Sequence, residues 1–138
     1  ALAAWLILFY LLSYKTASKT LEVKNGVSTY SEQFVYEGRA VSNEIERIII
    51  SKAIAESISP ELLLRIAKCE SSLNPNAKNP NSTASGLFQF LTSTFIHYAQ
   101  AYELPLEKNN PEIQAELAAK MIKDGGIIHW YASRNCWE

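Results

Sequence analysis

Apolar residues are spread unevenly along this chain. The opening run, Ala1-Leu-Ala-Ala-Trp-Leu-Ile-Leu-Phe-Tyr-Leu-Leu12, carries no charged or strongly polar side chain. An amphipathic surface helix would show a polar face, and a bilayer-spanning helix needs ~20 apolar residues. The run is too short to span and has the length of a signal-peptide apolar core. It does not begin with Met, so a truncated membrane anchor fits equally well; a buried core helix is the remaining reading. The lack of interleaved polar residues favours export or anchoring. Residues 13–42 are polar and mixed, with no repeat. Within them Asn25-Gly26 lies between Thr20 and Tyr30, and this dipeptide tolerates positive φ at both positions of a two-residue hairpin turn. An isolated hairpin is marginal, so the stretch reads as a spacer containing a possible hairpin.

From Asn43 onward the pattern turns helical. Ile45, Ile48, Ile49 and Ala53 recur at helical spacing and predict a helix over 43–57. Ser59-Pro60-Glu61 opens a second helix, running to about Glu70. Ser caps free N–H groups, Pro fits the first turn, and Glu complements the dipole. Asn74-Pro75 and Asn79-Pro80 then enforce a loop, because the residue before Pro leaves the helical region. Residues 84–91 form a short strand or loop element. Thr92-Ser-Thr94 starts a helix with Phe95, Tyr98, Ala99 and Tyr102, and Asn110-Pro111-Glu112 starts one with Ile113, Leu117 and Met121 that Gly125-Gly126 stops. The reading is a small, mainly helical domain over 43–138 with a short extended element, preceded by a spacer (13–42) and an apolar segment (1–12).

Composition narrows the chemistry. Hydrophobic residues make up 48% of the 138 and charged residues 20%, enough for a packed core. A net charge of -1 removes the electrostatic basis for nucleic-acid binding. With 2 cysteines and 2 histidines, neither a disulfide-dense scaffold nor a zinc finger is expected. A zinc set drawn from Cys69, His97, His129 and Cys136 has no recognised ligand spacing; no metal and no cofactor are expected.

One carboxylate stands out. On the helix after Pro60, Leu62, Leu63, Ile66 and Ala67 define the apolar face, and Glu70 falls near its middle, whereas Glu61, Arg65 and Lys68 lie opposite. A carboxyl group on a buried stripe is desolvated, which favours the neutral acid, the form that a general acid needs. No basic residue occupies the next seven positions. The plainer reading is that Glu70 simply ends its helix, partly solvated.

The segment Cys69-Glu-Ser-Ser-Leu-Asn-Pro-Asn-Ala77 resembles the Glu-Ser motif of lytic transglycosylases of the soluble-lytic (SLT) type. Gly86-Leu-Phe-Gln-Phe90, starting 16 residues after Glu70, is similar to that family's Gly-Leu-Met-Gln element, and Ser59 to Ala67 matches its helix into the catalytic glutamate. The likeness covers about 43–138. It implies a lysozyme-like α+β fold, Glu70 as the catalytic residue, and Ser71, Ser72, Gly86, Phe88 and Gln89 at the substrate. In place of the family's Ala-Tyr-Asn motif stands His129-Trp-Tyr-Ala-Ser-Arg-Asn-Cys-Trp137, from which Trp130 and Tyr131 are drawn as sugar-binding candidates. Core packing is the alternative for these aromatics. Ser71 and Ser72 suit either positioning Glu70 or capping its helix, and Gln89 either binds substrate or is an ordinary polar residue. The Cys before Glu70 and the terminal Trp-x5-Cys are similar to resuscitation-promoting factors, in which the two cysteines pair; this implies a Cys69–Cys136 disulfide, with two free thiols as the other reading.

The resemblance implies cleavage of the MurNAc–GlcNAc bond of peptidoglycan by a single glutamate, leaving 1,6-anhydro ends. A water-using muramidase and a non-catalytic glycan-binding module are the rivals. Glycan strands are the expected partner, with the membrane engaged through residues 1–12. No nucleic acid is expected, and the protein is taken as a monomer of the extracytoplasmic cell envelope, secreted or anchored.

Overall fold

A computed structural model describes residues 18–24 and 27–138; the apolar run 1–12 and the Asn25-Gly26 turn lie outside the described residues. Among the described residues, no helix is long and apolar enough to cross a membrane. The chain divides into two compact units, Ala1–Glu44 and Ile45–Glu138.

In the first unit, β1 (Ser18–Lys24) and β2 (Val27–Gln33) pair antiparallel, with Ser18 opposite Gln33 and Lys24 opposite Val27. That register leaves a two-residue connection. A second ribbon joins β3 (Val35–Tyr36) to β4 (Arg39–Ala40). Its two connecting residues, Glu37 and Gly38, both have positive φ, as a tight hairpin requires.

The second unit is helical. Its elements are α1 (Glu44–Ala55, beginning at the junction), α2 (Pro60–Ser71), α3 (Thr92–Ala101), α4 (Pro111–Lys123), a 3₁₀ helix (Gly126–Ser133) and α5 (Arg134–Trp137). Two starts follow the capping logic of the sequence. The Ser59 hydroxyl accepts the Leu62 N–H at 3.2 Å, and the Asn110 side chain accepts from Glu112 and Ile113 at 3.0 and 3.4 Å. The start of α3 differs: its N-cap is Leu91, which has no capping side chain, and the Thr92 N–H donates instead to Thr83 Oγ1 at 3.2 Å.

Leu63, Ile66 and Ala67 of α2, Phe88 and Phe90 of the loop, Phe95 of α3, Leu117 and Met121 of α4, and Trp130 form one buried cluster. Each such large apolar side chain contributes about 1.5–3 kcal/mol on burial. The C-terminal segment has no clear period in sequence, yet it docks through both tryptophans. Trp130 Nε1 donates to the Phe88 carbonyl at 3.1 Å, and Trp137 Nε1 to the Trp130 carbonyl at 3.0 Å. A Cys69–Cys136 disulfide ties this segment to α2.

Candidate active site

Glu70 sits on the last turn of α2, half-buried, and faces a hollow of about 110 Å³. Phe88, Gln89, Phe90 and Leu91 form one wall, Thr94 of α3 another, and His129 and Trp130 of the 3₁₀ helix the third. Glu70 is the one carboxylate among these lining residues, and among the described residues it makes no ion pair. One oxygen is fixed: the Ser133 hydroxyl donates to Oε1 at 2.5 Å. Ser133 is held in turn, its hydroxyl also lying 3.0 Å from the Trp130 carbonyl.

The two serines after Glu70 serve the backbone. Ser71 Oγ donates to the carbonyls of Ala67 (3.0 Å) and Leu87 (2.9 Å), which fastens the end of α2 to the loop. Ser72 is exposed and adopts the left-handed conformation that ends α2, its N–H bonding the Lys68 carbonyl at 2.9 Å.

The loop is braced by a residue that the hydrophobic pattern hides. Gln114 of α4 is 1% exposed. Its Oε1 accepts the Phe88 N–H at 3.1 Å, and its Nε2 donates to the carbonyls of Ser85 (3.0 Å) and Lys108 (2.5 Å). Gly86 packs against this amide. A Cβ there would lie 1.9 Å from Gln114 Nε2, and the backbone φ is +82°, so a side chain is barred twice over. Gly86 therefore acts on the loop's course rather than at the hollow, which it does not line.

Gln89 also has positive φ, at 50°. Its Nε2 donates to the carbonyls of Gly86 (2.9 Å) and Ala77 (3.3 Å), which ties the amide to the loop backbone, and the residue lines the hollow. Phe88 is 1% and Trp130 4% exposed, so both line the hollow from core positions. Tyr131 points elsewhere. It is 48% exposed, tilted against Trp137 with ring centroids 6.5 Å apart and beneath the Arg134 guanidinium at 5.4 Å, and it does not line the hollow.

Four lining residues, Phe90, Leu91, Thr94 and His129, are not among the substrate candidates drawn from the sequence, and neither is Ser133. His129 Nε2 and the Tyr98 hydroxyl are 3.0 Å apart. Tyr98 stacks on Tyr102, whose O–H donates to Asp124 at 2.7 Å. Burial, and then the Asp124 carboxylate that accepts its proton, push Tyr102 up to about 12. An aromatic and polar track thus leads from the hollow along α3. Both cysteines are consumed in the disulfide, so they offer no thiolate to a metal.

The profile of the transglycosylase SLT domain matches residues 47–125, more than half of the chain. Two curated relatives from Staphylococcus aureus, strains Newman and COL, each named "Probable transglycosylase SceD", are 43% identical over 70 residues. Those residues are 49% of this chain and 30% of each relative, so the match spans under a third of the relatives' length.

Proposed function

The chain belongs to the transglycosylase SLT domain family, and from that premise we propose that it cleaves the MurNAc–GlcNAc β-1,4 bond of peptidoglycan, with Glu70 as sole acid and base. The observation that carries this reading is the single carboxylate lining the hollow. Glycosidases that use water generally set a second carboxylate across the scissile bond. A transglycosylase has no need of one. Glu70, protonated on Oε2, gives its proton to the leaving glycosidic oxygen as the C1–O bond breaks. The resulting carboxylate takes the proton from the C6 hydroxyl of the same muramic residue as O6 bonds to C1. A 1,6-anhydro ring forms, and Glu70 regains the acid form without water. The intramolecular hydroxyl supplies a high effective molarity in place of an activated water, and the substrate's acetamido group can stabilise the oxocarbenium-like centre.

In this scheme Ser133 is a positioning residue. By occupying Oε1 as a donor, it directs proton exchange to Oε2. Gln89, whose amide N–H groups are taken by the carbonyls of Gly86 and Ala77, has its amide oxygen left to accept from the sugar, and Phe88, Phe90, Leu91, Thr94, His129 and Trp130 shape the hollow. Ser71, Ser72 and Gly86 act through the backbone that holds Glu70 and the loop. Residues 43–138 carry the chemistry, 13–42 are a spacer, and 1–12 export or anchor a wall-facing protein.

Two measurements test this. Mass spectrometry of purified walls digested by the protein yields anhydro-muropeptides; reducing MurNAc ends as the sole products establish hydrolysis instead. Ser133→Ala lowers kcat about tenfold, the loss of one hydrogen bond to a charged group, with little change in KM. Ser133→Thr, which keeps the hydroxyl, restores most of the rate. An Ala variant with the parent's kcat removes Ser133 from the mechanism.

A further inference from the structure

A second hollow, of about 360 Å³, lies beside the loop that frames Glu70. The two share a frame: Leu91 lines the first and Thr92 the second, and Lys78 of the second follows Ala77, whose carbonyl holds Gln89. The second hollow is walled mainly by hydroxyls, amides and two lysines, Lys78 and Lys108, and no carboxylate lines it. Lys108 Nζ donates to the Thr83 carbonyl and to Thr92 Oγ1. Partial burial holds this ammonium below the usual lysine range, and no carboxylate enters the balance.

Lys52 of α1 and Lys120 and Lys123 of α4 pair with glutamates. Among the described residues, Lys78 and Lys108 make no ion pair, as Arg65 and Lys68 do not, but Lys78 and Lys108 are the cations that line this hollow. The first turn of α3, which adjoins the hollow at Thr92, also holds no acidic residue. A partly desolvated cation without a counter-charge favours an anion from outside, and hydroxyl and amide groups around it match a carboxylate's remaining acceptor sites.

We propose that the Lys78–Lys108 hollow is an anion subsite that takes a carboxylate of the peptide stem borne by the glycan. This rests on the peptidoglycan reading above. A muramic residue seated by Glu70 carries its stem at a fixed point, and the hollow adjoins the loop that walls that seat. The subsite adds affinity for stem-bearing strands and leaves the bond-breaking step to Glu70.

The test compares the parent, Lys78→Gln and Lys78→Gln/Lys108→Gln on three substrates. These are walls freed of phosphate polymers but with stems intact, the same walls stripped of stems by an amidase, and walls that retain phosphate polymers. On stem-bearing walls Lys78→Gln raises KM about three- to fivefold and the double variant about tenfold, with kcat unchanged. On stem-free strands parent and variants are alike. An equal loss on stem-free strands, no loss on either, or a loss confined to walls retaining phosphate polymers overturns the stem assignment, the last by identifying a phosphate as the anion. A parent inactive on all three substrates overturns the cleavage reading itself and this proposal with it, whereas an active parent with indifferent variants overturns this proposal alone.

Discussion

Glu70→Gln removes wall-cleaving activity by a factor of about 10²–10⁴, the range contributed by a positioned general acid–base group, and leaves the protein folded. The substitution is nearly isosteric. Its amide oxygen can still accept the Ser133 hydroxyl that Glu70 Oε1 accepts at 2.5 Å, so the end of α2 and the 3₁₀ helix stay together. What is lost is an exchangeable acidic proton at Oε2. Because Glu70 is half-buried and makes no ion pair among the described residues, its replacement breaks no charge network, and the melting temperature moves by only a few degrees. Release of soluble muropeptides from walls reports the rate, and thermal unfolding by circular dichroism reports the fold. A well-folded variant that digests walls as fast as the parent ends the assignment of Glu70.

The second large effect concerns the Cys69–Cys136 bond. It closes a loop with a sequence separation of 67, and removing such a cross-link costs about 4 kcal/mol in the chain-entropy treatment. For a domain of this size that is a large share of total stability and lowers Tm by on the order of 20 °C. The double serine variant and the reduced protein both show this loss. Activity fails before the fold does. Cys69 precedes Glu70 directly, and Cys136 ends the segment that carries Trp130 and Ser133, so the freed segment fluctuates at the site first. Below the lowered Tm, reductant therefore depresses turnover more than it depresses helix content. Intact mass after alkylation verifies reduction. A fully reduced protein with unchanged Tm and rate would show that the tryptophan anchors suffice alone.

Much of this architecture is legible in the sequence because local rules set it. Ser59 and Asn110 cap where their side chains allow, and the face of α2 carries Leu63, Ile66 and Ala67 into the core and Glu70 to the hollow's edge. What escapes is non-local. Ser133 meets Glu70 across 63 residues, and neither position's spacing records the encounter. Gln114 reads as a polar residue on an amphipathic helix, yet it is buried because the loop's N–H and carbonyl groups must find partners away from water. Trp130 and Tyr131 are adjacent and chemically alike, but one is buried and the other exposed. An irregular 3₁₀ segment has no period to say which aromatic turns inward. The pairing of α1 and α4 through Lys52–Glu116 and Lys120–Glu56 is likewise a matter of three-dimensional contact.

The buried Gln114 has a kinetic consequence. With its amide bonded to residues 85, 88 and 108, the segment beside Glu70 lacks the freedom of a lid that closes over bound substrate. Under the proposed cleavage reading, a glycan meets a wall whose backbone groups are already bonded, and closure of this segment is not expected to be a step of turnover.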